Sequence, residues 1–278
     1  MSEYKVQEWI TPSEIKTIEY SGYWNDETQD KGTHWDVLDG NFGKMEAYLR
    51  EKGLLRQLEE SVRRLQSKFN RELHGTGADL AAGTLWAVPH LLRLGKVEKI
   101  YCVEYSRHRL FKIGPKVLEH YGVPKDKVIL VLGSFYNLKL PDKSLDFVFM
   151  SAALHHADDP NALLSEVRRV LKPEGVAIVI REHISEATLK AYVKHILRFF
   201  VSRAPSGIQK RLFGRTFHET KLIPKSSSEL FPPDPVLGDH FYTRLQYQEM
   251  FSRHGFIAEH VRDKSSSPQA FVLINGSA

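Results

Sequence analysis

Four short stretches of this chain put polar, acidic or small residues directly after apolar runs, and a fifth leads into one. In a parallel sheet those are the positions that face a ligand, beyond the carboxyl ends of the strands. The first is Asp79-Leu-Ala-Ala-Gly-Thr-Leu85, a small-residue turn that would let a ligand approach the backbone and the free N–H groups of a following helix. The second is Glu104, with Tyr105 beside it, twenty-one positions after Gly83. A carboxylate there can accept both hydroxyl hydrogens of a ribose. The third is Gly133-Ser134-Phe135, where glycine permits close approach and the next two side chains could bond and stack on a flat heterocycle. The fourth runs from Ser151 through His155 and His156 to Asp159. Histidine titrates near neutral pH, so either of the pair is a candidate general base. The fifth is Leu171-Lys-Pro-Glu-Gly175, a turn into another apolar run, beyond which His183 is a weaker candidate base.

The elements that must position these residues follow from periodicity. Ala78–Ala82, Lys99–Glu104, Val128–Leu132, Leu145–Met150, Val176–Ile180 and Gln269–Ile274 are short and rich in Val, Ile, Leu and Phe, as strands buried on both faces should be. Helical spacing is expected over 44–73, broken at Gly53, and over 85–94, 107–121, 160–171 and 243–254. Gly114-Pro115 should interrupt the third of these or restart it with proline in its first turn. Asp158 or Asp159 can cap the fourth. Strand and helix in alternation predict a parallel sheet covered on both faces. Gly75-Thr-Gly77 precedes the first strand and reads as a turn, not as a phosphate loop. Residues 1–43 offer no regular element beyond a short helix after Pro12.

In that order, DLAAGTL, VEYS, LGSF, SLDFVFMSAALHHADDP and RRVLKPEGVAIVI resemble the class I S-adenosylmethionine-dependent methyltransferases over residues 76–183. The resemblance implies a mostly parallel seven-stranded α/β sheet of Rossmann-like type with helices on both faces. It implies S-adenosylmethionine as cofactor and S-adenosylhomocysteine as product. Asp79, Ala81 and Gly83 would then line the methionine part, Glu104 the ribose, Ser134 and Phe135 the adenine, and Ser151 the sulfonium end, with Tyr105 and Gly133 also among the cofactor-binding residues. His155 and His156 would meet the methyl acceptor. The chain departs from the family's D-x-G-x-G-x-G loop, because Ala81 and Leu85 stand where the first and third glycines would be. Ser134 stands where an aspartate is frequent.

The whole chain sets the outer limits. With 278 residues, 42% of them hydrophobic, a large core needs no staple, and the lone Cys102 can form no internal disulfide. The thirteen histidines show no helical metal-ligating spacing, so no metal is expected. Neither a signal peptide nor a membrane span is evident, which fits a reducing cytoplasm. The domain reading is a largely helical extension over 1–73 and a methyltransferase domain over 74–278, with a lid inserted at about 184–240. Within that lid, 187–201 is amphipathic and basic, and a Ser/Pro-rich loop follows at 225–235. The helix reads either as a lid packed on the core with Lys190, Lys194 and Arg198 solvated, or as a contact for a membrane surface or lipid-like substrate. Further basic residues (Arg203, Lys210, Arg211, Arg215, Lys221, Lys225) suit an anionic acceptor. Tyr20, Tyr23 and Trp24 are read as a cap over the cofactor. A small-molecule acceptor is favoured. Methylation of RNA or protein is the rival, though a net charge of +5 makes nucleic acid a weak candidate. A non-catalytic scaffold is the other.

Overall fold

The computed structural model describes residues 3–18, 21–186, 188–213, 237–261 and 268–276, with the single residues Thr216, Ile223, Leu230, Phe231 and Asp234. Its frame is one eight-stranded sheet in the order β1-β4-β3-β2-β5-β6-β8-β7. The strands are β1 (Lys5–Glu8), β2 (His74–Leu80), β3 (Lys96–Glu104), β4 (Val128–Leu132), β5 (Leu145–Ser151), β6 (Leu171–His183), β7 (Phe256–Val261) and β8 (Pro268–Asn275). All neighbours pair in parallel from β1 to β6, and β8 runs antiparallel to both β6 and β7. From β2 the chain builds outward through β3 to β4, then returns to start β5 on the other side of β2. The reversal between β2 and β5 opens a crevice at the carboxyl ends of the strands.

The sheet has one strand more than the seven expected. The addition is β1, which pairs along β4 from Lys5↔Ile129 to Glu8↔Leu132. It is four mostly exposed residues at a sheet edge, so it carries no apolar run to betray it. The segment read as a helical extension therefore contributes to the same sheet as the rest. Gly75-Thr-Gly77 is also not a turn: it lies inside β2, with a register shift between Gly75 and Thr76. A Cβ on Gly77 would sit 2.3 Å from the Phe147 ring of β5, so glycine is needed there for two strands to meet. Likewise Leu171 already pairs with Leu145, so the expected 171–175 turn is the irregular start of β6.

The helices fall close to the expected places. Gly53, at φ +72°, separates Gly43–Glu51 from Leu54–Phe69. The second expected stretch starts three residues late, as Val88–Leu94 with Pro89 in its first turn. Around Gly114-Pro115 the chain makes one wide π-type turn, Arg109–Ile113, and restarts as Gly114–His120. Asp159 caps Pro160–Val170 by accepting from the N–H groups of Asn161 and Ala162. Thr243 and Gln246 form a reciprocal cap on Arg244–Arg253. One apolar layer lies between the sheet and Leu54–Phe69, Val88–Leu94 and Gly114–His120, the other under Pro160–Val170 and Arg244–Arg253. Cys102 is a buried free thiol on β3, in the core position expected of it.

The lid region departs from the packed alternative. Leu189–Ser202 and Ser206–Phe213 are helical, but Tyr192, Val193, Ile196, Leu197 and Phe200 face outward, Leu197 being 59% and Phe200 63% exposed. Helix periodicity reveals an apolar face but not what covers it. Among the described residues no helix is long and apolar enough to cross a membrane. Tyr20, Arg215, Lys221, Lys225 and most of the Ser/Pro-rich loop lie outside the described residues.

Candidate active site

At the sheet's switch point lies a cavity of about 300 Å³. Its floor is the turn after β2, Ala81–Thr84, together with Glu104, Tyr105, Phe135 and Ser151. A smaller adjoining recess is lined by Gly133, Ser134, Phe135 and Tyr136. Nine of the eleven cofactor-binding and catalytic candidates thus border the cavity or the small recess beside it: Ala81, Gly83, Glu104, Tyr105, Gly133, Ser134, Phe135, Ser151 and His156. The other two do not line it. Asp79 is buried within β2, where desolvation, reinforced by Glu104, raises its carboxyl well above the usual range. His155 is buried behind the strand mouth.

The backbone of the β2 turn answers the doubt raised by its missing glycines. Ala81, Gly83 and Leu85 have φ of +54°, +54° and +62°. The loop keeps the left-handed conformation that glycine would supply without strain, although two of the three residues carry a Cβ. Leu85 is fully buried, and its side chain goes toward Gly114, where a Cβ would lie 2.5 Å from Leu85 Cδ1. Glycine at 114 makes the room that leucine at 85 occupies, and the cavity is not narrowed. Ala152 (φ +52°), after β5, and Arg181 (φ +66°), near the end of β6, are also left-handed and also line the cavity. Backbone strain of this kind persists only where surrounding structure holds it, and it gathers at working sites.

Glu104 ties the turns together. One carboxylate oxygen accepts from Gly83 N at 2.8 Å, and the other from Tyr105 N at 2.9 Å and Ser106 N at 2.8 Å. A carboxylate offers about four lone-pair sites, so three N–H donors leave room for one further hydroxyl. A second ribose hydroxyl would have to displace or share one of these bonds. The hollow, the acidic residue at its edge and the open N–H groups of the turn fit a nucleoside with a charged tail.

The two histidines part company. His155 Nδ1 lies 2.9 Å from Glu182 Oε2, and both side chains are buried. Burial alone would lower the histidine, but the charge of Glu182 and its hydrogen bond override this and hold it above its usual pKa. Burial alone would raise Glu182, yet the facing histidine and the hydrogen bonds of His155 and Tyr247 hold it low. Glu182 also accepts from the backbone N–H groups of Ala153, Leu154 and His155, and from Tyr247 Oη at 3.0 Å. It therefore shapes the whole turn after β5. His156 faces the cavity, and burial pushes it down to about 3, so it is neutral near neutral pH.

Three contributors escaped the sequence. Glu182 had a signal: a carboxylate directly following an apolar strand run, where its neighbours are buried. Asp30 and Arg109 had none. Arg109 donates to both Asp30 oxygens, at 2.9 and 2.8 Å, and this nearly buried pair fastens the N-terminal segment over the site. That segment supplies Trp24, Trp35 and Tyr48 to the cavity wall. Trp24 lies edge-on to His156 with centroids 5.1 Å apart, and the Arg109 guanidinium sits 5.2 Å over its ring. Tyr23 touches Trp24 but does not line the cavity.

Fold order and strand-end turns together give the fold of the class I methyltransferases. Residues 78–179 match the family model described as a methyltransferase domain. It is similar to the demethylmenaquinone methyltransferase of Geobacillus kaustophilus (strain HTA426), at 24% identity over 82% of this chain and 88% of the relative. Its similarity to the Anoxybacillus flavithermus demethylmenaquinone methyltransferase is 28% over 60% of this chain and 68% of that one. Among solved structures, the fold is shared with a chain from the complex of the Haloferax volcanii Trm112 methyltransferase activator with a putative methyltransferase. That match has a TM-score of 0.55 and 14% identity, covering 88% of this chain and 99% of the other. The mitomycin 7-O-methyltransferase MmcR aligns with a TM-score of 0.51 and 14% identity, over 88% of this chain and 61% of that one.

Proposed function

We propose that the chain binds S-adenosylmethionine on the turns after β2, β3 and β4 and methylates a small, flat, hydroxylated acceptor of the quinol class. The observation that carries this reading is the shared cavity: the turn of Ala81–Thr84 and Glu104 form one side, and Trp24, Trp35, Tyr48 and His156 another. The cofactor supplies a methyl group already activated by its sulfonium. The protein's part is to place an acceptor oxygen or ring carbon in line with it and to exclude water. Aromatic walls suit a planar ring, and the two relatives named for demethylmenaquinone agree with that class. His156, being the histidine on the cavity wall, is the residue assigned to face the acceptor. A cavity of about 300 Å³ with aromatic walls favours a small acceptor over RNA or protein. The outward apolar face of Leu189–Ser202 supports an acceptor with an apolar tail, delivered at a membrane surface. In this reading residues 74–278 form the catalytic domain, 184–240 its lid, and 1–73 the wall over the acceptor. The buried free thiol of Cys102 suits a reducing cytoplasm.

The test is calorimetric titration with S-adenosylhomocysteine, followed by turnover on quinol acceptors with and without an alkyl tail. Wild-type affinity is expected at micromolar or tighter, and at least tenfold weaker in Glu104→Ala, about 1.4 kcal/mol. A folded wild type that does not bind removes the cofactor reading. Binding without methylation of any quinol removes the acceptor class, and equal rates with and without the tail remove the lipid-like acceptor.

A further inference from the structure

Behind His156 the turn after β5, the end of β6 and the segment before Arg244–Arg253 meet. One donor atom each of His155, His183 and Asp239 lies within 4.8 Å of the other two. The three come from different parts of the chain, which is why no local spacing announced them.

Three further observations single this cluster out. His155 Nδ1 is held by Glu182, which leaves Nε2 as its open ring nitrogen. A carboxylate on the far nitrogen of a histidine is the usual support of a metal-bound imidazole, fixing its tautomer and orientation. Glu182 is itself fixed by three backbone N–H groups and Tyr247, so this support is rigid. Asp239 Oδ1 is buried without a hydrogen-bond partner; His156 Nδ1, 3.1 Å away, is not aligned to bond with it. A buried carboxylate oxygen left unsatisfied is costly unless a cation or donor answers it.

We propose that His155, His183 and Asp239 form a binding site for a divalent first-row transition ion of the zinc type. Two imidazoles and one carboxylate are a zinc ligand set that leaves coordination open for water or an oxygen ligand. Donors up to 4.8 Å apart would have to close by up to about 1.5 Å to reach the tetrahedral spacing set by bonds of about 2.0–2.2 Å. The ion would clamp the 237–243 segment to the ends of β5 and β6. Ile184 and Tyr242 already bridge there, and His240 N donates to His155 O at 2.7 Å. Since His156 and Leu237 line the cavity, the clamp borders the acceptor side. The site stands or falls independently of which acceptor is methylated.

The experiment is titration of the chelator-treated full chain, its fold confirmed by circular dichroism, with cobalt(II) and with zinc(II). Cobalt is read by visible absorption and zinc by calorimetry. One equivalent of each is expected to bind, with the visible bands of cobalt bound by nitrogen and oxygen donors. His183→Ala and the isosteric Asp239→Asn should each weaken zinc by at least tenfold while remaining folded. His254→Ala, a histidine on the other side of Pro160–Val170, should bind as wild type does. Absence of stoichiometric binding by the folded wild type overturns the proposal. So does binding that is unchanged in both His183→Ala and Asp239→Asn.

Discussion

The two walls of the cavity are built by different means. On the sheet side, short turns after β2, β3 and β5 hold their shape through backbone geometry: left-handed residues at 81, 83, 85 and 152, and carboxylates that gather N–H groups. On the opposite side, the N-terminal segment is held by side chains reaching across the sequence, chiefly Asp30 to Arg109, with Lys112 on Glu27 at the surface. The first wall is set by turn backbone and by carboxylates at the ends of neighbouring strands, Glu104 on Gly83 and Glu182 on Ala153 and Leu154, so it takes shape with the sheet itself. The second depends on pairs that can break singly, so it can open without unfolding the sheet.

Breaking the first wall should cost most. Glu182→Gln replaces an acceptor for three backbone N–H groups with a side chain that is half donor, and leaves His155 buried without its counter-charge. A loss of about 4 kcal/mol in unfolding free energy is expected, checked by denaturant titration. A loss below about 1 kcal/mol would show that the β5 turn holds itself. On the second wall, Asp30→Asn should cost about 2 kcal/mol, because Arg109 is less completely buried than Glu182. The sharper readout is local. Proteolysis before residue 48 should quicken, while S-adenosylhomocysteine affinity stays within about threefold, an order-of-magnitude expectation from additivity between separate sites. A large loss of cofactor affinity would mean that the two walls are one unit. The smallest effect expected is that of Gly114→Ala, about 1 kcal/mol from overpacking against Leu85. The cost should largely vanish in the Leu85→Ala background, apart from that variant's own cavity penalty, as a double-mutant cycle would reveal.

The same contrast explains what the sequence disclosed. The turn of Asp79–Leu85, the Glu104 position and the Asp159 cap are written in consecutive residues, because the physics that shapes them acts within a few residues. The strand β1 was hidden because four exposed edge residues carry no burial pattern. Asp30 and Arg109 were hidden because a charged pair 79 positions apart leaves no local mark on either partner. His155 was visible as a residue type but not as a role: only the structure distinguishes the histidine held by Glu182 from the one that faces the cavity.

The leucine at 85 and the glycine at 114 also set an order of events. Glycine inside a helical segment costs roughly 0.5–1 kcal/mol relative to alanine, a burden most folded chains survive. A leucine thrust against an existing Cβ at 114 would meet it at 2.5 Å. From an ancestor with small residues at both positions, the passable route opens the space first and fills it second. The reverse route crosses a strained intermediate. Loop and helix thus constrain each other: leucine at 85 is admissible because the position twenty-nine residues downstream carries no side chain.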